Sequence, residues 1–114
     1  MRKKKIKVLA IIPARKNSKG VKNKNFKLVN KKRLIDYTII EAKKSKCITK
    51  IALTTDDKRI IIHSKKYNLD YLISRKKKLA NDTSSSTLVA LDVLNKIKNF
   101  DAEYILLLQP TSPL

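Results

Sequence analysis

The chain has 114 residues, 28 Lys and Arg against 9 Asp and Glu, a formal net charge of +19 and 42% hydrophobic residues. That length supports one core and excludes a two-domain enzyme within these residues, and no apolar run approaches the roughly 18 residues that a membrane span needs. The single cysteine, Cys47, excludes an intramolecular disulfide and a cysteine-based metal cluster, and is expected to pack as a small hydrophobe.

So large a positive charge would ordinarily suggest a polyanionic partner. The make-up of the charge weakens that reading. Of the basic residues 23 are Lys, spread over nearly every segment, five are Arg, and aromatics are 5%. A specific nucleic-acid site more often pairs Arg with stacking aromatics. Lys, Ile and Asn together make 45 of the 114 residues, a bias that an AT-rich coding sequence produces by itself.

In chain order, IKVLAII (6–12) is a nearly continuous, β-branched apolar run ended by Pro13, as expected of a strand buried on both faces of a parallel sheet. With MRKKK before it, the segment reads as a charged start and a buried strand rather than a signal peptide, so the expected location is cytoplasmic. Residues 13–25 are polar and lack helical periodicity, a loop longer than a simple connection needs. An amphipathic helix is predicted over 33–46, with Lys43, Lys44 and Lys46 where cations suit the helix dipole. KIALTT (50–55) is a second buried strand, Asp56 or Asp57 caps a helix over about 57–67, and DYLI (70–73) is a short third strand.

A second polar loop (74–83) leads to SSSTLVALDVLNKIKN, a helix capped by its serines and marked by Leu88, Leu91, Val93, Leu94 and Ile97. EYILLLQ (103–109) is the last strand and runs directly into PTSPL. Such alternation predicts an α/β fold, a three-layer Rossmann-like parallel sheet with helices on both faces. In open parallel sheets, ligands bind beyond the carboxyl ends of the strands. Three polar segments collect on that edge: PARKNSKGVKNKN, RKKKLANDTSSS and QPTSP. Arg15, Lys19 and Lys24 put cations on a loop with Gly20, the one glycine of the chain, whose missing side chain lets backbone approach a ligand closely. Such an edge suits a polyphosphate.

PARKNSKG followed by KNKN, TTDD after the second strand, LANDTSSS, and finally LLLQPTSPL resemble the N-terminal half of the sialic-acid type cytidylyltransferases, the CMP-nonulosonate synthetases. The resemblance runs from about residue 6 to 114. It implies a nucleotidyltransferase fold truncated after its nucleotide-binding half, in an enzyme that activates a nonulosonic acid with CTP, releasing pyrophosphate, for surface glycan biosynthesis. Relatives that activate 3-deoxy-manno-octulosonate carry Thr-Arg-Leu-Pro-Gly-Lys in place of the Asn-Ser-Lys-Gly run, which favours a nine-carbon acid. By matching motif positions, Arg15 and Lys24 are the implied catalytic phosphate contacts and Lys19 an additional one. Asn25 falls at the ribose or phosphate, Arg75 and Ser86 approach the nucleotide from the second loop, and Gln109 lies where nucleotide and sugar acid meet. The family's Mg²⁺ ligands and dimerisation element belong to the half not represented here, and no residue among 1–114 matches those ligands.

Plainer readings stand beside these. Asp56 and Asp57 are more ordinary as helix caps than as a metal pair, and Ser84 and Ser85 as caps than as ligands. His63, between Ile62 and Ser64, lacks a neighbouring acid and nucleophile in sequence and is not expected to be catalytic. Two other classes of function are kept open: a small basic nucleic-acid-binding module, and a truncated, nonfunctional product with an exposed sheet edge.

Overall fold

The computed structural model of the chain describes residues 6–15, 17–18, 21–22, 28–75 and 86–110. Its centre is a four-stranded parallel sheet made of β1 (Val8–Ala14), β6 (Lys50–Thr55), β7 (Tyr71–Ser74) and β8 (Tyr104–Leu107), in the spatial order β7-β6-β1-β8. Between β1 and β6 lie two small antiparallel pairs. One joins β2 (Asn17–Ser18) to β3 (Val21–Lys22), the other β4 (Leu28–Val29) to β5 (Lys32–Arg33).

The helices are α1 (Leu34–Lys44), α2 (Lys58–Ser64), which runs on into a 3₁₀ turn at Lys65–Tyr67, and α3 (Ser86–Lys96). The expected three-layer arrangement follows from the alternation of strand side chains. Ala10, Ile12 and Ala14 of β1 pack with Leu53 of β6, with Ile35, Ile39 and Ala42 of α1 and with Ile60 of α2. Leu9 and Ile11 point the other way, onto Ala52, Ile73, Val93 of α3 and Ile97 just after it. Leu9 through Ile12 are fully buried, as a central strand covered on both faces requires.

β1 continues past the point where Pro13 was expected to end it. Ile11 O accepts from Leu108 N on the β8 side, and backbone groups two residues apart face the same way. The N–H that Pro13 lacks would therefore face β8 beyond its last paired residue, Leu107, while Pro13 keeps its register with Thr54 of β6. The missing donor thus falls where the β1–β8 ladder stops, a position at which a proline is tolerated.

One further expectation is corrected. Cys47 is exposed, because α1 ends at Lys44 and the residue falls beyond the helix's apolar stripe. The expected last helix is present as α3; Val89 and Val93 are buried on it, as is Ile97 just after it, while Leu88 and Leu91 are half-exposed.

Strands β6 and β7 continue to one side of β1, after which the chain returns to lay β8 on the other. This reversal makes the carboxyl ends of β1 and β8 the topological switch point, where open α/β sheets form a ligand crevice.

Candidate active site

The parallel register brings four chain segments to one edge. Arg75 follows β7, Asp56 follows β6, Arg15 follows β1, and Gln109 lies just past β8. Arg75 is fixed in place by its backbone, whose N–H donates to Thr55 O at 2.9 Å and extends the β6–β7 ladder by one bond. Gln109 is exposed and follows Leu108, whose N–H donates to Ile11 O at 2.9 Å. Helix α3 is tied to the same edge through Lys96 Nζ, which donates to Ser74 O at 3.3 Å and to Asp92 Oδ2 at 3.1 Å.

Arg75 is only 5% exposed, and its Nε is buried with no hydrogen-bond partner among the described residues. Burial pushes the guanidinium pKa down, Asp56 and Asp92 draw it back up, and Arg15 adds like-charge pressure in the downward direction. An arginine does not surrender its proton under such pressure, so the site holds a charged, incompletely satisfied guanidinium within electrostatic reach of a second one. Two guanidinium groups at one sheet edge, one with an idle buried donor, have the chemistry that would suit an anionic oxygen acceptor such as a phosphate.

Of the residues singled out from the sequence, the structure brings Arg15 and Arg75 together and sets Gln109 on the same edge. Lys19, Lys24 and Asn25 lie outside the described residues, as does the side chain of Ser86, whose backbone opens α3. Asp92 was not anticipated. It sits on a helix predicted for its apolar face, and no local pattern shows that this helix returns to the edge occupied by Arg75.

Asp57 caps α2, its carboxylate accepting from Arg59 N at 2.9 Å and pairing with the Arg59 guanidinium at 2.8 Å. Its own N–H donates to Thr55 Oγ1 at 3.0 Å, so the turn after β6 is braced from both sides. Among the described residues no group of three or more His, Cys, Asp and Glu could hold a metal ion. Asp56 and Asp92 act on Arg75, and Asp57 is engaged with Arg59, so these carboxylates do not fit a Mg²⁺ site.

A second polar cluster lies between α1 and α2, where His63 does have a neighbouring acid. Asp36 Oδ1 lies 2.7 Å from His63 Nε2 and accepts from the Tyr67 hydroxyl at 2.6 Å, while Asp36 Oδ2 accepts from Arg33 N at 2.8 Å. Burial alone would raise the Asp36 pKa, but these hydrogen bonds outweigh it and hold the carboxyl below its ordinary range. The carboxylate is spent on three donors, a bracing role rather than a catalytic one.

Residues 9–114 match the family profile described as cytidylyltransferase. The chain belongs to the cytidylyltransferase family. It is 39% identical over 110 residues to a CMP-N,N'-diacetyllegionaminic acid synthase of Legionella pneumophila, a match covering 95% of this chain and 47% of that protein. It is 38% identical over 107 residues to an N-acylneuraminate cytidylyltransferase of Escherichia coli, covering 94% of this chain and 25% of the relative. With a pseudaminic acid cytidylyltransferase of Campylobacter jejuni the identity is 36% over 112 residues, covering 96% and 48%. The fold is also that of a CMP:2-keto-3-deoxy-manno-octonic acid synthetase solved with CTP, with a TM-score of 0.76 at 23% identity over 94% of this chain and 41% of that one. This member of the family thus spans about half the length, or less, of these relatives.

Proposed function

We propose that this chain is the nucleotide-binding half of a cytidylyltransferase that activates a nonulosonic acid with CTP, giving the CMP-sugar and pyrophosphate. The observation that carries the reading is the buried, incompletely satisfied Arg75 beside Arg15 at the switch point of a cytidylyltransferase sheet. In this reaction the anomeric hydroxyl attacks the α-phosphate and pyrophosphate leaves, so catalysis rests on aligning the groups and neutralising phosphate charge. Arg15 and Arg75 supply two fixed cations for the phosphates, and Arg75 Nε offers a donor already stripped of water.

Lys19 and Lys24 are assigned further phosphate contacts, and Asn25 and Ser86 nucleotide contacts, on their motif positions. Gln109 is assigned to the junction of nucleotide and sugar acid on the same basis. Names among the matched relatives include legionaminic, pseudaminic and N-acylneuraminic acids, which supports a nonulosonic acid as the second substrate. Mg²⁺ held by residues outside this chain, a homodimeric full-length enzyme and a cytoplasmic location belong to the same proposal. No helix among the described residues is long and apolar enough to cross a membrane.

The test is calorimetric titration of the folded chain with CTP, ATP and a short DNA duplex at moderate salt. Preferential CTP binding that Arg15→Ala weakens is expected. Duplex binding with a steep salt dependence and no CTP preference would replace this reading with that of a basic nucleic-acid-binding module.

A further inference from the structure

Helix α3 reaches the end of β7 with a charged pair. Ile73, two residues before Arg75, packs with Val93 of α3. Because side chains alternate along a strand, Arg75 emerges on that same face, the one α3 covers. Val93 is fully buried, and the side chain of the adjoining Asp92 is only 17% exposed. One turn further along, Lys96 Nζ donates to Asp92 Oδ2 at 3.1 Å and to Ser74 O at 3.3 Å. On its other side the same peptide group, through Arg75 N–H, donates to Thr55 O at 2.9 Å. The peptide joining Ser74 to Arg75 is thus held by α3 through its carbonyl and by β6 through its N–H, which fixes the root of the Arg75 side chain.

We propose that Asp92 is a positioning residue for Arg75: held by Lys96 against the end of β7, its carboxylate orients the guanidinium before a phosphate arrives. The proposal rests on the reading of this edge as a phosphate site. Asp92 also offsets the burial of the guanidinium, as Asp56 does. A carboxylate beside an anion site repels the ligand, so its presence there is useful only through what it does to the cation. An arginine side chain has many rotamers, and ordering it during binding costs entropy that a guanidinium already in place does not lose.

The test compares wild type, Asp92→Asn, Arg75→Met and the double variant of the full chain by CTP titration. The Arg75 Nε–H resonance, assigned by its loss in Arg75→Met, is followed by NMR in the absence of ligand. The sign of the effect on CTP discriminates between two accounts. Removing a negative charge tightens CTP binding if Asp92 acts only by Coulomb repulsion, and weakens it if Asp92 positions Arg75. Asp92→Asn is expected to weaken binding roughly three- to tenfold, as for coupled neighbouring groups, and to cause no such loss in the Arg75→Met background. It should also shift or broaden the Nε–H resonance. Urea unfolding checks that each variant is folded. Lys96→Met, which releases Asp92 from its hold on Ser74, should move the resonance in the same way, and it takes the place of Asp92→Asn if that variant does not fold. Equal or tighter CTP binding by Asp92→Asn, the same loss in the Arg75→Met background, or an unmoved resonance overturns the proposal. If wild type does not bind CTP, the nucleotide reading fails, and the resonance by itself still decides whether Asp92 orients Arg75.

Discussion

The Tyr67 hydroxyl donates to Asp36 Oδ1 at 2.6 Å, so the 3₁₀ turn after α2 is bonded to the first turn of α1 across 31 positions of sequence. His63 meets the same oxygen at 2.7 Å, and its ring stands edge-on to that of Tyr67 with centroids 6.5 Å apart. Together they join the two helices on one face of the sheet through a carboxylate that is only 3% exposed.

The pH dependence of stability follows from the directions of these pKa shifts. Burial and then the Asp36 carboxylate raise the Tyr67 pKa, so the neutral phenol is the form the fold favours. Its contribution is complete below the ordinary tyrosine value of about 10 and is lost as pH rises towards the higher folded value. Asp36 behaves oppositely: its contribution is present above the ordinary aspartate value of about 3.9 and is lost as pH falls through its lowered folded value. Urea unfolding across pH should show an alkaline decline in wild type that Tyr67→Phe reduces. At neutral pH that variant should cost about 2 kcal/mol, as for a hydrogen bond to a charged group.

Arg75→Met separates stability from binding. The guanidinium is buried with an idle Nε, and an apolar side chain of similar length avoids that desolvation. The variant should be at least as stable as wild type, by about 1 kcal/mol, in denaturant melts. Its CTP affinity should fall at least roughly tenfold, equivalent to about 1.4 kcal/mol. Loss of stability with unchanged CTP affinity would make Arg75 a structural residue.

The turn between β4 and β5 carries removable strain. Asn30 and Lys31 both have positive φ, 50° and 71°, the backbone of a two-residue hairpin whose preferred sequence is Asn-Gly. Lysine has no side-chain compensation for that conformation. Lys31→Gly should therefore raise stability by about 0.5–1 kcal/mol after the entropy cost of glycine in the unfolded chain, read as a higher thermal midpoint.

Asp57→Ala removes the cap of α2 together with the bidentate Arg59 pair. A cost of about 1–2 kcal/mol is expected in chemical denaturation. Asp57→Asn should recover most of the capping share because the amide oxygen can still accept from Arg59 N.

The chain's own pattern was sufficient for the alternation of strands and helices, because an apolar run such as 6–12 and a helical stripe that includes Leu34, Ile39 and Ala42 are local consequences of period 2 and period 3.6. It also marked one sheet edge, since polar loops after parallel strands must emerge on one side, and it put Arg15, Arg75 and Gln109 on that edge. The tertiary structure decided what depends on residues far apart in sequence. That β8 returns beside β1, that Asp92 and Asp56 flank Arg75, and that Asp36 supplies the acid next to His63 are matters of topology and packing. No local spacing encodes them, because hydrogen bonds and charges act across space once loops have closed, while periodicity reports only which face of each element is buried.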